Sequence, residues 1–121
     1  MTKFSNCLLY LVIAFIACDK DRKEGNLLVN TKHDVRFIGQ ARVYLKIGTD
    51  QNPNLPITKY DKVERADGTG DAYFKRLDEG KYFIYAKGFD QEENRYVEGE
   101  FGVTVKSSFA DNTTKLTIEM K

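Results

Sequence analysis

Cysteine, histidine and long apolar runs are what this chain of 121 residues most lacks. Its two cysteines, Cys7 and Cys18, both precede the body of the chain, so the remainder has no thiol with which to form a disulfide. Its single histidine, His33, has no second histidine to converge with. A metal site or a general base needs converging ligands or an oriented partner, so His33 is read as a surface residue at a strand end. Charge of one sign is lacking too: 19 Lys+Arg stand against 18 Asp+Glu. Without a basic field there is nothing to gather nucleic acid or anionic lipid, and no nucleic-acid partner is expected. The uncharged run from Phe4 to Ala17 is too short for a membrane-spanning helix, which needs about 20 apolar residues. There is no internal repeat and no low-complexity segment.

What is present begins with that run. Lys3 precedes it and Phe15-Ile16-Ala17-Cys18 closes it, the layout of a secretory signal with small residues at the cut. With cysteine after the probable cut, the segment resembles the lipobox of bacterial lipoproteins. The resemblance implies a diacylglyceryl group on Cys18, usually with a further N-acyl chain, and Cys18 as residue one of the processed chain. A plain secretory signal cut near Ala17, leaving a free thiol, is the competing reading. Each buried methylene contributes about 0.8 kcal/mol, and one chain alone holds a protein only marginally, so several chains would keep it on its membrane. Asp19-Lys20-Asp21-Arg22-Lys23-Glu24 is wholly charged and leads into Gly25-Asn26, a composition suited to a solvated tether. It also resembles the charged export signals of surface lipoproteins in some Gram-negative bacteria. The expected organisation is a signal peptide over 1–17, a lipidated cysteine and tether over 18–25, and one domain over 26–121. Roughly 100 residues suit a single core.

From Asn26 onward the pattern has period two, punctuated by Gly, Pro, Asn and Asp clusters, and no helical stretch competes with it. Strands are expected at Asn26 to Lys32, Ala41 to Ile47, Ile57 to Arg65, Asp71 to Leu77 and Lys81 to Phe89. Two more follow, with inward sets Val97, Phe101, Val103, Val105 and Leu116, Ile118, Met120. Between Thr49 and Pro56 the prolines preclude a ladder. Asp67-Gly68-Thr69-Gly70, Asp78-Glu79-Gly80 and Asp90 to Asn94 read as turns. Seven strands, each with one apolar face, predict an all-β, seven-stranded antiparallel β-sandwich.

Gly39-Gln40-Ala41-Arg42-Val43-Tyr44-Leu45 and the run from Gly70 to Ala86 sharpen this. They are similar to transthyretin-like sandwiches, including carboxypeptidase regulatory-like and collagen-adhesin B-type repeat domains. The resemblance implies an Ig-like two-sheet fold and little about role, since the fold hosts many. Collagen-adhesin repeats often carry an isopeptide bond between a first-strand lysine and a last-strand asparagine beside a buried acid. Lys32 could serve as the first, but Thr113 to Lys121 holds no asparagine and Tyr82, Ile84 and Ala86 include no acid. The bond is not expected. The hydroxyisourate hydrolase branch is excluded by the lone histidine and the ending Ile118-Glu119-Met120-Lys121.

Other chemistry is thin. Ser107-Ser108 lacks the glycine elbow of a serine nucleophile. Asp67, Asp71, Asp90, Glu92 and Glu93 offer hard oxygen ligands without EF-hand spacing and read as ordinary polar turns. No metal, cofactor or enzymatic activity is expected. If the second and fifth expected strands are neighbours, Tyr44, Phe83 and Tyr85 share an outer face with Arg42, Lys46 and Lys87. Aromatic surface bounded by charge suits a protein or glycan partner, though cross-strand aromatics also simply strengthen a sheet. The chain is thus expected to be a lipid-anchored, non-catalytic interaction or structural module of a bacterial envelope. The outer membrane is the expected site, on its periplasmic or surface face. A carbohydrate-binding or adhesive surface lipoprotein is the sharper variant. Intact-mass analysis of the processed chain should find it beginning at an acylated Cys18; a mass without acyl groups would overturn the anchor.

Overall fold

The computed structural model describes residues 24–107 and 112–121. The expected signal peptide, Cys18 and most of the expected tether lie outside the described residues. Eight strands follow in order: β1 Glu24–His33, β2 Arg36–Phe37, β3 Arg42–Ile47, β4 Lys62–Arg65, β5 Asp71–Asp78, β6 Gly80–Asp90, β7 Arg95–Val105 and β8 Thr113–Glu119. One sheet is built on β1, flanked by β5 and β8 and extended by β2; the other runs β4-β3-β6-β7. The two-sheet, all-β architecture is what one apolar face per strand demands.

Two features of the expected sandwich are corrected. The described residues hold eight strands rather than seven, because Arg36–Phe37 folds back on the end of β1 and pairs Lys32 with Phe37 and His33 with Arg36. The sandwich is also not wholly antiparallel, since β8 runs parallel to β1, pairing Asn26 with Thr113 through to Lys32 with Glu119. Side-chain alternation has the same period in both ladders, so it carries no information on strand direction. Strand bounds shift as well. Glu24 and Gly25 already pair with Asp78 and Leu77. Ile57–Lys59 forms a single 3-10 turn behind Pro56, leaving only Lys62–Arg65 as strand.

The core lies between the sheets. Leu27, Val29, Val43, Leu45, Ile84 and Val105 are wholly buried, with Phe74, Leu77, Tyr82, Val97, Ile118 and Met120 nearly so. A fully buried aliphatic side chain contributes about 1.5–3 kcal/mol relative to exposure, so this set dominates stability. Phe101, expected inward, and Ile47, which alternation puts on the same face as Ala41, Val43 and Leu45, are 50% and 47% exposed. Ile47 is the last residue of β3. Phe101 belongs to β7, an edge strand with a neighbour on one side only in its sheet. Gly88 admits Ile38 to the core: a Cβ there would stand 2.5 Å from the Ile38 Cγ2.

The long β3–β4 connection shapes the outer face of the second sheet. A Cβ on Gly102 would coincide with the Asp50 backbone carbonyl, so this connection lies directly on β7. Asn52 Nδ2 donates to Glu100 Oε2 at 3.1 Å, and the Tyr60 ring meets Tyr44 edge-on at 6.1 Å. Only glycine permits this approach. Gly102→Ala should destabilise the protein by about 1–3 kcal/mol, as overpacking does. It should also make the 49–56 segment more sensitive to proteolysis; a variant as stable and as resistant as the parent would refute this packing.

Candidate functional site: the outer face of the second sheet

The register of four strands places the outward side chains in rows. Arg42 pairs with Arg65 on one side and Lys87 on the other, and Lys87 pairs with Glu98. The next row reads Val63, Tyr44, Tyr85, Glu100. Beyond it come Lys46, Phe83 and Gly102. On the other side of the cationic row, Phe89 pairs with Tyr96. β3 and β6 are therefore neighbours, and the expected surface residues do share one face.

They do not share one environment. Tyr44 and Tyr85 are partly buried and stacked, with ring centroids 6.0 Å apart. The Tyr85 hydroxyl donates to Glu98 Oε2 at 2.5 Å, and burial first, then that carboxylate, pushes its pKa above the ordinary phenol value. Tyr60 is shifted upward too, by burial and then by Glu100. Phe83 corrects the expectation of an exposed aromatic: it is 4% exposed, beside Gly102 where the Asp50 segment crosses. Lys46 is committed elsewhere, its Nζ 3.1 Å from Asp61 Oδ2. Arg42 and Lys87 are exposed.

Residues not anticipated complete the face. Phe89 and Tyr96 meet edge-on at 5.0 Å and are 39% and 68% exposed, with Lys87 Nζ 5.4 Å from the Tyr96 ring centroid. Phe89 is the next outward position after Lys87, so alternation points to it; Tyr96 needs the hairpin register. Arg65 ends β4 and enters the row only through its pairing with Arg42.

A second cluster closes the far end of the sandwich, and two expectations fail there. His33 is not surface decoration but 5% exposed, and Asp90 is not a turn residue but the buried last residue of β6, 2% exposed. His33 Nδ1 lies 2.7 Å from Asp90 Oδ2, and Arg95 Nη2 lies 3.1 Å from His33 Nε2. Arginine can only donate, so Nε2 accepts and the ring proton sits on Nδ1, directed at Asp90. Arg36 Nη2 donates to Asp90 Oδ2 at 2.7 Å and to Glu93 Oε2 at 2.9 Å. Its Nε is 3.2 Å from Glu92 Oε2 but is not aligned for a hydrogen bond. The amides of Glu92 and Glu93 donate to Asp90 Oδ1. These donors, led by Arg36 and His33, hold the Asp90 carboxyl far below its ordinary range.

By distance, His33, Asp90 and Glu93 could together ligate a metal ion. Arg36 and Arg95 already occupy those carboxylates and the free imidazole nitrogen. The arrangement is a closed ion network. The acid missing from Tyr82, Ile84 and Ala86 is thus present further along the same face of β6. Lys32 nevertheless stands between the buried Thr31 and His33 and points to the opposite face of β1. A cleft of about 570 Å³ beside the network is lined by Val35, Arg36, Phe37, Gln40, Gln91 and Glu92 among others, without a hydroxyl, thiol or amine. Of the serine pair, Ser107 binds Glu79 through its amide and hydroxyl, while Ser108 lies outside the described residues. Asp67 accepts from the Thr69 hydroxyl and from the Thr69 and Asp71 amides, which caps a turn and lowers its pKa.

No protein-family model matches the chain, and no curated protein matches it by sequence. Solved structures are similar in fold. BcpA, the major pilin subunit of Bacillus cereus, superposes with a TM-score of 0.52 at 17% identity, over 81% of this chain and 30% of the pilin chain. A variant of that subunit gives 0.51 at 18% identity, over 80% and 30%. This chain therefore spans under a third of the pilin's length. A Pseudomonas aeruginosa protein, PA1324, provisionally described as carbohydrate binding, gives 0.48 at 13% identity over 81% of this chain and 89% of its own. At these identities the likeness shows the β-sandwich fold alone, and the last score supports no inference.

The ion network makes a pH prediction. Asp90 is depressed from its ordinary 3.8, so its stabilisation is complete above about pH 4 and is lost as pH falls toward its folded-state value. Asp90→Asn should lower the melting temperature at pH 7 and flatten its decline on the acid side below pH 4. Parallel acid profiles for parent and variant would show that Asp90 does not carry this dependence.

Proposed function

We propose that this chain is a lipid-anchored, non-catalytic interaction module of a bacterial envelope, held by Cys18 and contacting its partner through the outer face of the β4-β3-β6-β7 sheet. The observation that carries the reading is that face itself. Ring pairs Tyr44/Tyr85 and Phe89/Tyr96 lie on either side of the exposed cations Arg42, Arg65 and Lys87. Rings and cations in one patch are the usual material of interfaces.

The non-catalytic part rests on the His33–Asp90 pair. An imidazole held by a carboxylate is two-thirds of a nucleophile-activating triad. Here its other nitrogen is taken by Arg95, and the lining of the adjacent cleft includes no hydroxyl or thiol for such a base to activate. A glycan partner is the second reading, favoured by the exposed rings of Phe89 and Tyr96 beside the cations.

The test sets the full chain beside its Tyr44→Ser/Tyr85→Ser variant on a glycan array and in envelope-extract pull-downs. Loss of the stacked pair should cost about 1 kcal/mol, which a folded domain tolerates. Capture by the parent should fall roughly tenfold in the variant. Undiminished capture by a folded variant would move the function off this face, and hydrolytic activity abolished by a chelator would replace the reading with an enzyme.

A further inference from the structure

We propose that the row Arg65, Arg42 and Lys87 binds an acidic oligosaccharide, a chain of uronate sugars, with Tyr44/Tyr85 and Phe89/Tyr96 receiving the sugar rings. This rests on the outer face being the interaction surface and names its ligand class.

Several other cations have carboxylates of their own: Lys46 pairs with Asp61, Arg76 with Glu24, Arg95 with Glu93, and Arg36 with Asp90 and Glu93. Arg42, Arg65 and Lys87 form no such pair, as is true of Lys59, Lys62, Lys81 and Lys121 among the described residues; what sets the three apart is that they stand directly opposite one another across three strands. Directly opposed side chains in a sheet stand about 4.5–5.5 Å apart, and like charges so placed repel. Arg42 has a cation opposite it on both sides. The row ends in a carboxylate, Glu98, yet Glu98 accepts the Tyr85 hydroxyl instead of pairing with Lys87. Lys87 Nζ stands 5.4 Å from the centroid of the Tyr96 ring, which carries no net charge. Three cations opposed in one row, with the single carboxylate Glu98 at its end, leave a surplus of positive charge for a negatively charged ligand to meet.

The rings select what carries that charge. Phe89 and Tyr85 are outward positions of one strand four residues apart, so the ring pairs are about 14 Å apart along the sheet, with the cations between them. A uronate sugar joins an apolar ring face to a carboxylate, the combination this spacing accepts. Free phosphate would engage the cations and leave the rings unused. An extended acidic peptide gains affinity by adding to a sheet edge. The row is instead centred on β3 and β6, whose backbone groups are spent on neighbours at both sides. Nucleic acid is disfavoured by a net charge of only +1 over the chain.

The full chain, purified in detergent, is titrated with oligogalacturonate, its fully methyl-esterified neutral counterpart, polyglutamate, inorganic phosphate and a single-stranded oligonucleotide. Oligogalacturonate should bind, more weakly as salt rises, and roughly tenfold better than the neutral ester. Arg42→Gln/Lys87→Gln should weaken it roughly tenfold while leaving the melting temperature unchanged or higher, because repulsion is relieved. Equal affinity for the neutral ester, or for polyglutamate, phosphate or the oligonucleotide, would overturn the ligand class. So would absence of oligogalacturonate binding. If that absence accompanies a Tyr44→Ser/Tyr85→Ser variant that still loses its captured partner, the acidic-sugar proposal falls and the interaction face stands. If the variant also retains every partner, both fall.

Discussion

The antiparallel pairing of β3 with β6 is the constraint on which both the core and the candidate surface depend. Val43 opposite Ala86 and Leu45 opposite Ile84 fill the interior, and the alternate pairs Arg42–Lys87 and Tyr44–Tyr85 form the exposed rows. A slip of one residue would exchange these sets, placing two cations in the core and exposing its aliphatic centre. Burying such charges unpaired costs far more than any surface contact returns, so the core fixes the surface geometry as firmly as it fixes itself. Function on the outer face therefore inherits its precision from packing on the inner one.

The ion network does different work at the end of the same sheet. It ties His33 and Arg36, from the β1–β2 hairpin of one sheet, to Asp90, Glu93 and Arg95, from the β6–β7 hairpin of the other. Asp90 is nearly sealed from water, and two guanidiniums, an imidazole and two backbone amides surround it and its neighbour Glu93. Removing any one donor leaves charge in a poorly solvated place, which is why such clusters fix geometry better than they add stability. The consequence for the surface is direct. Asp90 and Arg95 are register partners that close the hairpin immediately beyond Phe89 and Tyr96.

Much of this was legible in the sequence, because period-two alternation marks strands and faces wherever a strand is half-buried. Ala41, Val43, Leu45 and Tyr82, Ile84, Ala86 fall inward as their spacing requires. Phe83 escaped because its register partner Gly102 lets the segment at Asp50, more than thirty residues away in sequence, cross the sheet beside it. Gly102 was visible, but a glycine alone does not say what approaches it. His33 escaped for a related reason: its network partners Arg36, Asp90, Glu92, Glu93 and Arg95 are all charged residues that read as ordinary turn or strand-edge polarity. Only the meeting of two hairpins makes them a cluster. The parallel course of β8 left no trace in side-chain pattern at all.

Strand direction also orders the proposed anchor and the proposed site. β1 enters at Glu24, where Gly25 packs against Val105 and Lys106, and ends at His33 beside Asp90. Its ten residues at about 3.3 Å each span roughly 30 Å. Arg42, Lys87, Phe89 and Tyr96 belong to the His33 end, whereas Ile47, Tyr82 and Gly80 belong to the Glu24 end. A chain held through Cys18 has only a handful of residues before β1, a reach of about 20 Å at full extension. The lipid would then hold one end of the sandwich near the membrane and present the cationic row and its rings toward the other. The part of the face that the β3–β4 connection crosses, at Gly102 beside Phe83, belongs to the Glu24 end of the sheet relative to that row. The open part, with Phe89 and Tyr96 exposed beside the cations, belongs to the His33 end.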